Sequence, residues 1–171
     1  MVLQQRRRRH ARKKELVMSE LEGRSCGDCT ACCFTHEIAH FKKPVATHCG
    51  QCETGKGCKI YGQHPDECRG FKCLWLLNAF PENMRPDRLG VVVDFVPEEK
   101  VKMKVTVLRM YEVWAGALES VYAKALLQGL MTQKCVIILK RLQPNNTYGT
   151  EIVVSPSYEI ECLEEKAKAA R

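Results

Sequence analysis

The clearest alternation of apolar and polar residues lies in the second half of the chain, after a turn-forming Arg-Pro-Asp tripeptide at residues 85–87. Residues 90–96 and 101–108 are rich in β-branched side chains, and the Pro-Glu-Glu-Lys segment between them suits a hairpin loop. The pattern therefore predicts two consecutive strands in this part of the chain.

A helix is predicted after these strands, because apolar or small residues recur at the spacing of one helical face for about four turns. The residues of this stripe, which begins near Leu118, are Val121, Tyr122, Ala125, Leu126, Gly129 and Leu130. Residues 135–142 and 151–154 then have strand composition, with a Pro-Asn-Asn turn between them. The order strand, strand, helix, strand, strand (ββαββ) predicts an α+β fold, with one helix packed on a small antiparallel sheet.

The first half of the chain has a different pattern. Residues 4–22 have helix-forming composition and Gly23 suits a helix stop, whereas residues 24–77 read as loops and short turns. Such a segment is expected to bury little apolar surface, so metal–thiolate bonds are the candidate for what holds it together. The sequence thus divides into a basic N-terminal tail or helix (1–23), an irregular, metal-stapled cysteine-rich region (24–77) and a small α+β region (78–171).

Length and composition exclude several classes of protein. A chain of 171 residues with 45% apolar residues can bury a core without the cross-links that very short secreted proteins need. No apolar segment follows the basic N-terminal run, which argues against a secretory signal, and no stretch is apolar enough to span a membrane. The expected compartment is therefore the reducing cytoplasm, where clustered cysteines indicate metal or redox chemistry rather than disulfides.

The net charge of +7 comes from the N-terminal tail. Only Lys and Arg supply charge before Glu15, the first acidic residue, and in the rest of the chain basic and acidic residues are equal in number. An arm of this kind can neutralise nucleic-acid phosphates whatever the base sequence. We favour a solvated terminus, because neither interleaved aromatic residues nor a recognised nucleic-acid motif accompanies the arm.

Nine of the eleven cysteines lie in one block and form the candidate metal site. They are Cys26, Cys29, Cys32, Cys33, Cys49, Cys52, Cys58, Cys68 and Cys73. Two C-x-x-C pairs, at residues 26–29 and 49–52, have the spacing that lets a tight turn aim two thiolates at one ion such as zinc. Cys32 extends the first pair to the C-x-x-C-x-x-C spacing of an iron–sulfur motif, although the usual fourth Cys-Pro is missing.

Nine thiols exceed the needs of one four-coordinate ion. Either two metal centres are present, or some thiols are reactive or simply packed. Because consecutive side chains do not easily converge on one ion, Cys32 and Cys33 are expected to have different roles. Outside the block, Cys135 opens a predicted core strand and Cys162 lies in a polar C-terminal segment, so neither is assigned to the site.

Two further residues of the block each have two interpretations. His48 is either a nitrogen ligand or an exposed loop histidine. Arg69 either donates hydrogen bonds to thiolates or forms a surface ion pair.

Three motifs occur together in residues 24–77: C-x2-C-x2-C-C at 26–33, G-C-K-I-Y at 57–61, and P-x2-C-R-x-F-x-C at 65–73. In this combination the chain resembles the YkgJ-type cysteine-cluster family, described as zinc- or iron-chelating. The Arg-Pro-Asp-Arg-Leu-Gly-Val run at 85–91 is similar to small members that continue into a short α+β region. His64 departs from the pattern, since the family commonly has Arg before this proline.

The resemblance implies metal chelation by the matched cysteines, while most members of the family have no established activity. The first functional hypothesis is a metal-binding protein that holds zinc, iron or an iron–sulfur cluster, with the α+β region as a docking surface for a protein partner. A related cysteine pattern in flagellin lysine N-methylases keeps an enzymatic role open, namely an iron–sulfur or metal-dependent enzyme that acts on a protein or peptide. The second alternative is a zinc-stabilised nucleic-acid binder that uses the basic tail.

Overall fold

A computed structural model of the chain describes residues 24–97, 106–133 and 135–155. The predicted helix at 4–22, the basic tail and Cys162 lie outside the described residues. The α-helices are α1 (Ala31–Thr35), α2 (Asp66–Gly70), α3 (Pro86–Leu89) and α4 (Val121–Met131), with 3-10 turns at Ala39–Phe41, Glu82–Met84 and Ala117–Glu119. The strands are β1 (Cys52–Glu53), β2 (Gly57–Cys58), β3 (Val91–Phe95), β4 (Val107–Glu112), β5 (Val136–Lys140) and β6 (Ile152–Val154). The predicted α+β class is confirmed.

The main sheet has the strand order β3-β4-β5-β6. Strands β3 and β4 are antiparallel, as are β5 and β6, but the central pair β4 and β5 is parallel, with Met110 opposite Leu139. The prediction of an antiparallel sheet is therefore wrong at its centre. The physical reason is that α4 lies between β4 and β5 in the chain and acts as a crossover, which returns β5 in the same direction as β4.

Ser120 precedes helix α4 as its N-cap, and its side chain accepts a hydrogen bond from the Ala123 amide at 3.1 Å. Its buried face consists of Ala123, Leu126 and Leu130. The predicted apolar stripe is wrong for four of its six residues: Val121 and Tyr122 are 80% and 68% exposed, Ala125 and Gly129 are exposed as well, and only Leu126 and Leu130 are buried. The helix is rotated so that the 123-126-130 row packs in the core, while the 121-122-125-129 positions of the predicted stripe face solvent.

The cysteine-rich region shares its core with the sheet. Strand residues such as Val92 and Ile137 belong to the same buried cluster as Cys73, Leu74 and Trp75. Residues 24–77 therefore bury more apolar surface than their irregular sequence indicates, because they pack on β3. The Leu74 amide donates to the carbonyl of Val93 at 2.8 Å and extends the hydrogen bonding of that strand.

Arg24, the first described residue, is fixed against the same region. Its Nη1 donates to the carbonyl oxygens of Trp75 at 2.8 Å and Phe80 at 2.7 Å, and its guanidinium lies 4.9 Å from the centre of the Trp75 ring. The start of the cysteine-rich region is thereby tied to the turn that follows it. Among the described residues, none forms part of a helix with the length and apolar character needed to cross a bilayer.

Candidate metal centre

The nine cysteines of the block lie on short elements held by tight turns. The Cys29 amide donates to the carbonyl of Cys26 at 2.8 Å, and the Cys52 amide donates to that of Cys49 at 3.0 Å, so each C-x-x-C pair closes a turn. The second turn also directs the Gln51 amide to the Cys49 sulfur at 3.4 Å. Both pairs thus have the local backbone that the spacing predicts.

A cavity of about 140 Å³ collects most of these thiols. Its wall includes cysteines from the two C-x-x-C turns, from α1, from β2 and from α2. They are Cys26, Cys29, Cys32, Cys33, Cys49, Cys58 and Cys68. The fold therefore brings together residues that are up to 42 positions apart in sequence, while Cys52 and Cys73 lie outside this wall.

A second, smaller cavity of about 20 Å³ lies beneath the first turn. Cys26, Cys29, Cys32 and Cys73 line it, together with apolar side chains that include Trp75. Cys73, absent from the wall of the large cavity, thus has a place beside three other thiols. The remaining cysteine, Cys52, hydrogen-bonds through its thiol to Cys33.

Burial and mutual proximity set the ionisation of the thiols. Burial raises the pKa of Cys29, Cys52 and Cys68 to about 11 in each case. Cys33 is the exception: hydrogen bonds donated by the thiols of Cys32 and Cys52 lower its pKa to about 7. Cys29, Cys52 and Cys68 therefore favour the protonated thiol at neutral pH unless a cation is bound, since a coordinating thiol is deprotonated outright.

The cysteine side chains of the block lie near one another, but they do not converge on one position for a metal ion. In the described part of the chain, no three His, Cys, Asp or Glu side chains are close enough together to hold a metal ion as they stand. All nine cysteines of the block are thiols, with none in a disulfide. A donor set of soft sulfur ligands on shared cavity walls suits zinc or iron, and side-chain rearrangement would be needed to close it around an ion.

Lys43 is a residue that the sequence analysis missed. It is only 6% exposed, and its ammonium donates to the backbone carbonyls of Phe34 and His36. Burial lowers the pKa of Lys43, and the neighbouring thiols, led by Cys49 and Cys33, oppose that shift. The lysine thus places a positive charge beside the thiol cluster. In the sequence Lys43 is one of two adjacent lysines, and no local pattern distinguishes it from the exposed Lys42.

His36, one helical turn after the Cys32-Cys33 doublet, lies in the wall of the large cavity and was also missed. Its Nε2 lies 3.0 Å from Oδ2 of the buried Asp94, and its Nδ1 lies 2.7 Å from the Thr35 hydroxyl. Asp94 in turn accepts hydrogen bonds from Arg109 Nε at 3.0 Å and Nη2 at 2.5 Å. This chain of polar contacts connects the cavity wall to β3 and β4.

Arg85 fixes the first C-x-x-C turn from outside. Its Nη1 donates to Asp28 Oδ1 at 2.6 Å, and its Nε and Nη2 donate to the two carboxylate oxygens of Asp87. The hydrogen bond from Arg85 lowers the pKa of Asp28. The tripeptide at 85–87, which the sequence identified only as a turn, therefore also holds the loop that carries Cys26 and Cys29.

The remaining residues that the sequence analysis singled out are Arg69, His48 and Cys135. Arg69 forms an ion pair with Asp66 on the surface, as in the second of its two interpretations. His48 is exposed, with its ring centre 4.9 Å from that of Phe34. Cys135 is buried in the core, where its thiol donates to the carbonyl of Leu130.

Comparison of the chain with protein-family models, with curated proteins and with solved structures finds no match. The resemblance of the cysteine motifs to the YkgJ-type family therefore stays a prediction. What the site can do is decided by the chemistry of the residues that line its cavities.

Proposed function

We propose that this protein binds zinc or iron, the latter alone or as an iron–sulfur cluster, through its block of cysteines. The observation that carries the proposal is the single cavity of about 140 Å³ whose wall includes seven thiols from four separate stretches of the chain. Clustered thiols in a reducing compartment are typical of metal sites, and no sulfur in this set is used in a disulfide.

The burial of Lys43 supports the same proposal. Burying a charged lysine whose residue is 6% exposed is costly unless negative charge compensates it. Thiolates formed when a metal binds would supply that charge, because Cys33, Cys49 and Cys52 lie within electrostatic range of the lysine. A lysine near a four-thiolate centre in turn offsets the net negative charge that such a centre carries.

The sequence resemblance agrees with this chemistry. Six of the seven cavity-lining cysteines, all except Cys49, belong to the three motifs that resemble the zinc- or iron-chelating family. The bound metal would act by joining the turns, β2 and α2 into one unit, as it does in small metal-stabilised domains. Storage, delivery and stabilisation of the fold are all consistent with this role.

The test is anaerobic purification of the full chain, followed by elemental analysis, sulfide assay and a visible spectrum. Stoichiometric zinc in colourless protein, or iron with sulfide in brown protein, is the expected result. The double variant Cys33→Ala/Cys68→Ala should lose metal, whereas the matched control Cys135→Ala, which removes a thiol outside both cavities, should keep it. Fully folded protein that contains neither metal, even after reconstitution with zinc or iron, would overturn the proposal.

A second candidate function is a metal-dependent enzyme acting on a protein or peptide. One observation favours it: the large cavity also has Tyr61 and His64 in its wall, with ring centres 5.1 Å apart, and Tyr61 is exposed. Both side chains can transfer protons, and the exposed Tyr61 ring, stacked on the half-buried His64 beside the thiols, is accessible to a substrate. A colourless protein with only zinc would remove the redox form of this alternative.

A further inference from the structure

Cys52 lies outside the walls of both cavities, and its thiol contacts Cys33 instead. We propose that Cys33 and Cys52 form a redox-active pair, which closes to a disulfide when it reacts with a low-molecular-weight disulfide such as oxidised glutathione. This inference goes beyond the proposed function, because it assigns reactive chemistry to two thiols whether or not a metal binds the block.

Backbone hydrogen bonds hold the second C-x-x-C turn against α1. The Cys49 amide donates to the carbonyl of Cys33 at 3.1 Å, and the Thr47 amide donates to that of Phe34 at 3.2 Å. The turn from Cys49 to Cys52 is itself closed by the 3.0 Å hydrogen bond between their backbones. Two segments that are 19 positions apart in sequence are therefore fixed side by side, with one cysteine of the pair on each.

The contacts of the thiols favour this pairing over its two nearest competitors. The Cys52 thiol donates a hydrogen bond to the Cys33 sulfur. Cys49, in the same turn as Cys52, is buried and lines the large cavity, so the two thiols of that turn do not face the same space. Cys32 is too close to Cys33 along the chain, because consecutive Cα atoms are about 3.8 Å apart and disulfides favour about 4.4 to 6.8 Å.

Both members of the pair can be reached by a small oxidant. Cys33 and Cys52 are each half-buried, and Cys33 lies in the wall of the large cavity beside the exposed Tyr61. In a reducing compartment, disulfides are usually transient and serve catalysis or redox sensing. A pair on two surface segments, accessible to both oxidant and reductant, suits such a reversible bond better than a permanent one.

The reaction proceeds by two thiol–disulfide exchanges. The thiolate of one cysteine attacks a sulfur of oxidised glutathione, forms a mixed disulfide and releases one glutathione thiolate. The thiolate of the second cysteine then attacks the protein sulfur of the mixed disulfide, which forms the Cys33–Cys52 bond and releases the second glutathione. The pair loses two electrons and two protons, and these convert one glutathione disulfide into two glutathione thiols.

The experiment uses the full chain, purified anaerobically with a reductant and EDTA, desalted, and exposed to one equivalent of oxidised glutathione. The remaining thiols are alkylated, and tandem mass spectrometry of the digested protein locates the bonds. The expected main product is a Cys33–Cys52 disulfide, with the loss of two free thiols per chain. The same reaction in urea is the control, because an unfolded chain favours bonds between cysteines close in sequence, and Cys33–Cys52 should not dominate there.

Two variants test the assignment within the folded chain. Cys52→Ser should stop the reaction at the mixed disulfide between Cys33 and glutathione, whereas Cys49→Ser, the matched control in the same turn, should still form the Cys33–Cys52 bond. If the folded, unaltered protein gives mainly Cys49–Cys52, only mixed disulfides or no loss of thiols, the inference is wrong, and this result decides the matter even where a variant does not fold. Because EDTA keeps metal from the thiols, the outcome is separate from the metal analysis that tests the proposed function.

Discussion

The backbones of Gly57 and Gly27 lie in direct contact: a Cβ atom added at position 57 would be 2.5 Å from the Gly27 carbonyl oxygen. Gly57 precedes Cys58 on β2, and Gly27 lies inside the first C-x-x-C turn. The close approach therefore packs the β1–β2 hairpin on that turn and places Cys58 within electrostatic range of Cys26. A side chain at position 57 would separate the two.

Gly57→Ala should destabilise the protein and reduce its metal content. Alanine at φ +102° costs about 1 kcal/mol of backbone strain, and the contact with the Gly27 carbonyl adds about 1 to 3 kcal/mol more. Gly55→Ala is the matched control, because Gly55 also has a positive φ, +75°, but an added Cβ there meets nothing within 4 Å. Chemical denaturation and elemental analysis should show a larger loss for Gly57→Ala, and equal losses would contradict the packing argument.

Local patterns predicted a substantial part of this fold. Strand β3 (Val91–Phe95) lies inside the predicted stretch 90–96, and the turn at Pro144 follows β5 as expected, because runs of β-branched residues and turn residues act over a few positions. The parallel pairing of β4 with β5 was missed, since pairing depends on how a crossover helix returns the chain. The exposure of Val121 was missed because periodicity fixes the spacing of a helical face but not which face meets the sheet.

The difference between local sequence signals and contacts made only in the folded chain also applies to the site. Cysteine spacing is a local signal, and eight of the nine cysteines that it singled out line shared cavities, while their binding of metal stays a prediction. The polar residues around them were found only in three dimensions. His36 and Asp94 are 58 positions apart, and Arg85 reaches back 57 positions to Asp28, so no motif within a short window contains either pair.

The buried carboxylate of Glu112 joins three parts of the α+β region. It is 1% exposed and accepts hydrogen bonds from the backbone amides of Leu118 at 2.9 Å and Leu142 at 2.8 Å. Glu112→Gln should lower the free energy of unfolding by about 1 to 3 kcal/mol, because the new amide nitrogen faces a backbone donor. The control is Glu119→Gln, whose exposed side chain pairs with Lys124 and Arg141 and should change stability little. Similar effects in urea denaturation would show that Glu112 is not a structural acceptor.

Asp94 should be needed for the orientation of His36 in the cavity wall. It is 3% exposed and accepts from both His36 and Arg109, so Asp94→Asn replaces one acceptor oxygen with a donor inside a buried network. We expect a loss of about 1 to 3 kcal/mol in the free energy of unfolding and a changed chemical shift of the His36 ring protons.

The control for Asp94 is Asp66→Asn, which breaks the exposed ion pair between Asp66 and Arg69. Because solvent screens that pair, thermal denaturation of the control should match that of the unaltered protein. If Asp94→Asn leaves both the stability and the His36 spectrum unchanged, the network does not connect the cavity wall to the sheet.

Lys43 should tune the affinity of the metal site without being a ligand. Lys43→Met removes a buried ammonium from the vicinity of Cys33 and Cys49, so the thiolates formed on metal binding lose their nearby positive charge. We expect competition with a chelator to show metal binding about tenfold weaker, the lower end of the range for residues that surround metal ligands. Lys42→Met is the matched control, because the adjacent lysine is exposed. Unfolding of the metal-free proteins, measured in parallel, distinguishes a loss of stability from a loss of metal affinity. If folded Lys43→Met binds metal as tightly as the unaltered protein, the lysine serves only to donate to the backbone carbonyls of Phe34 and His36.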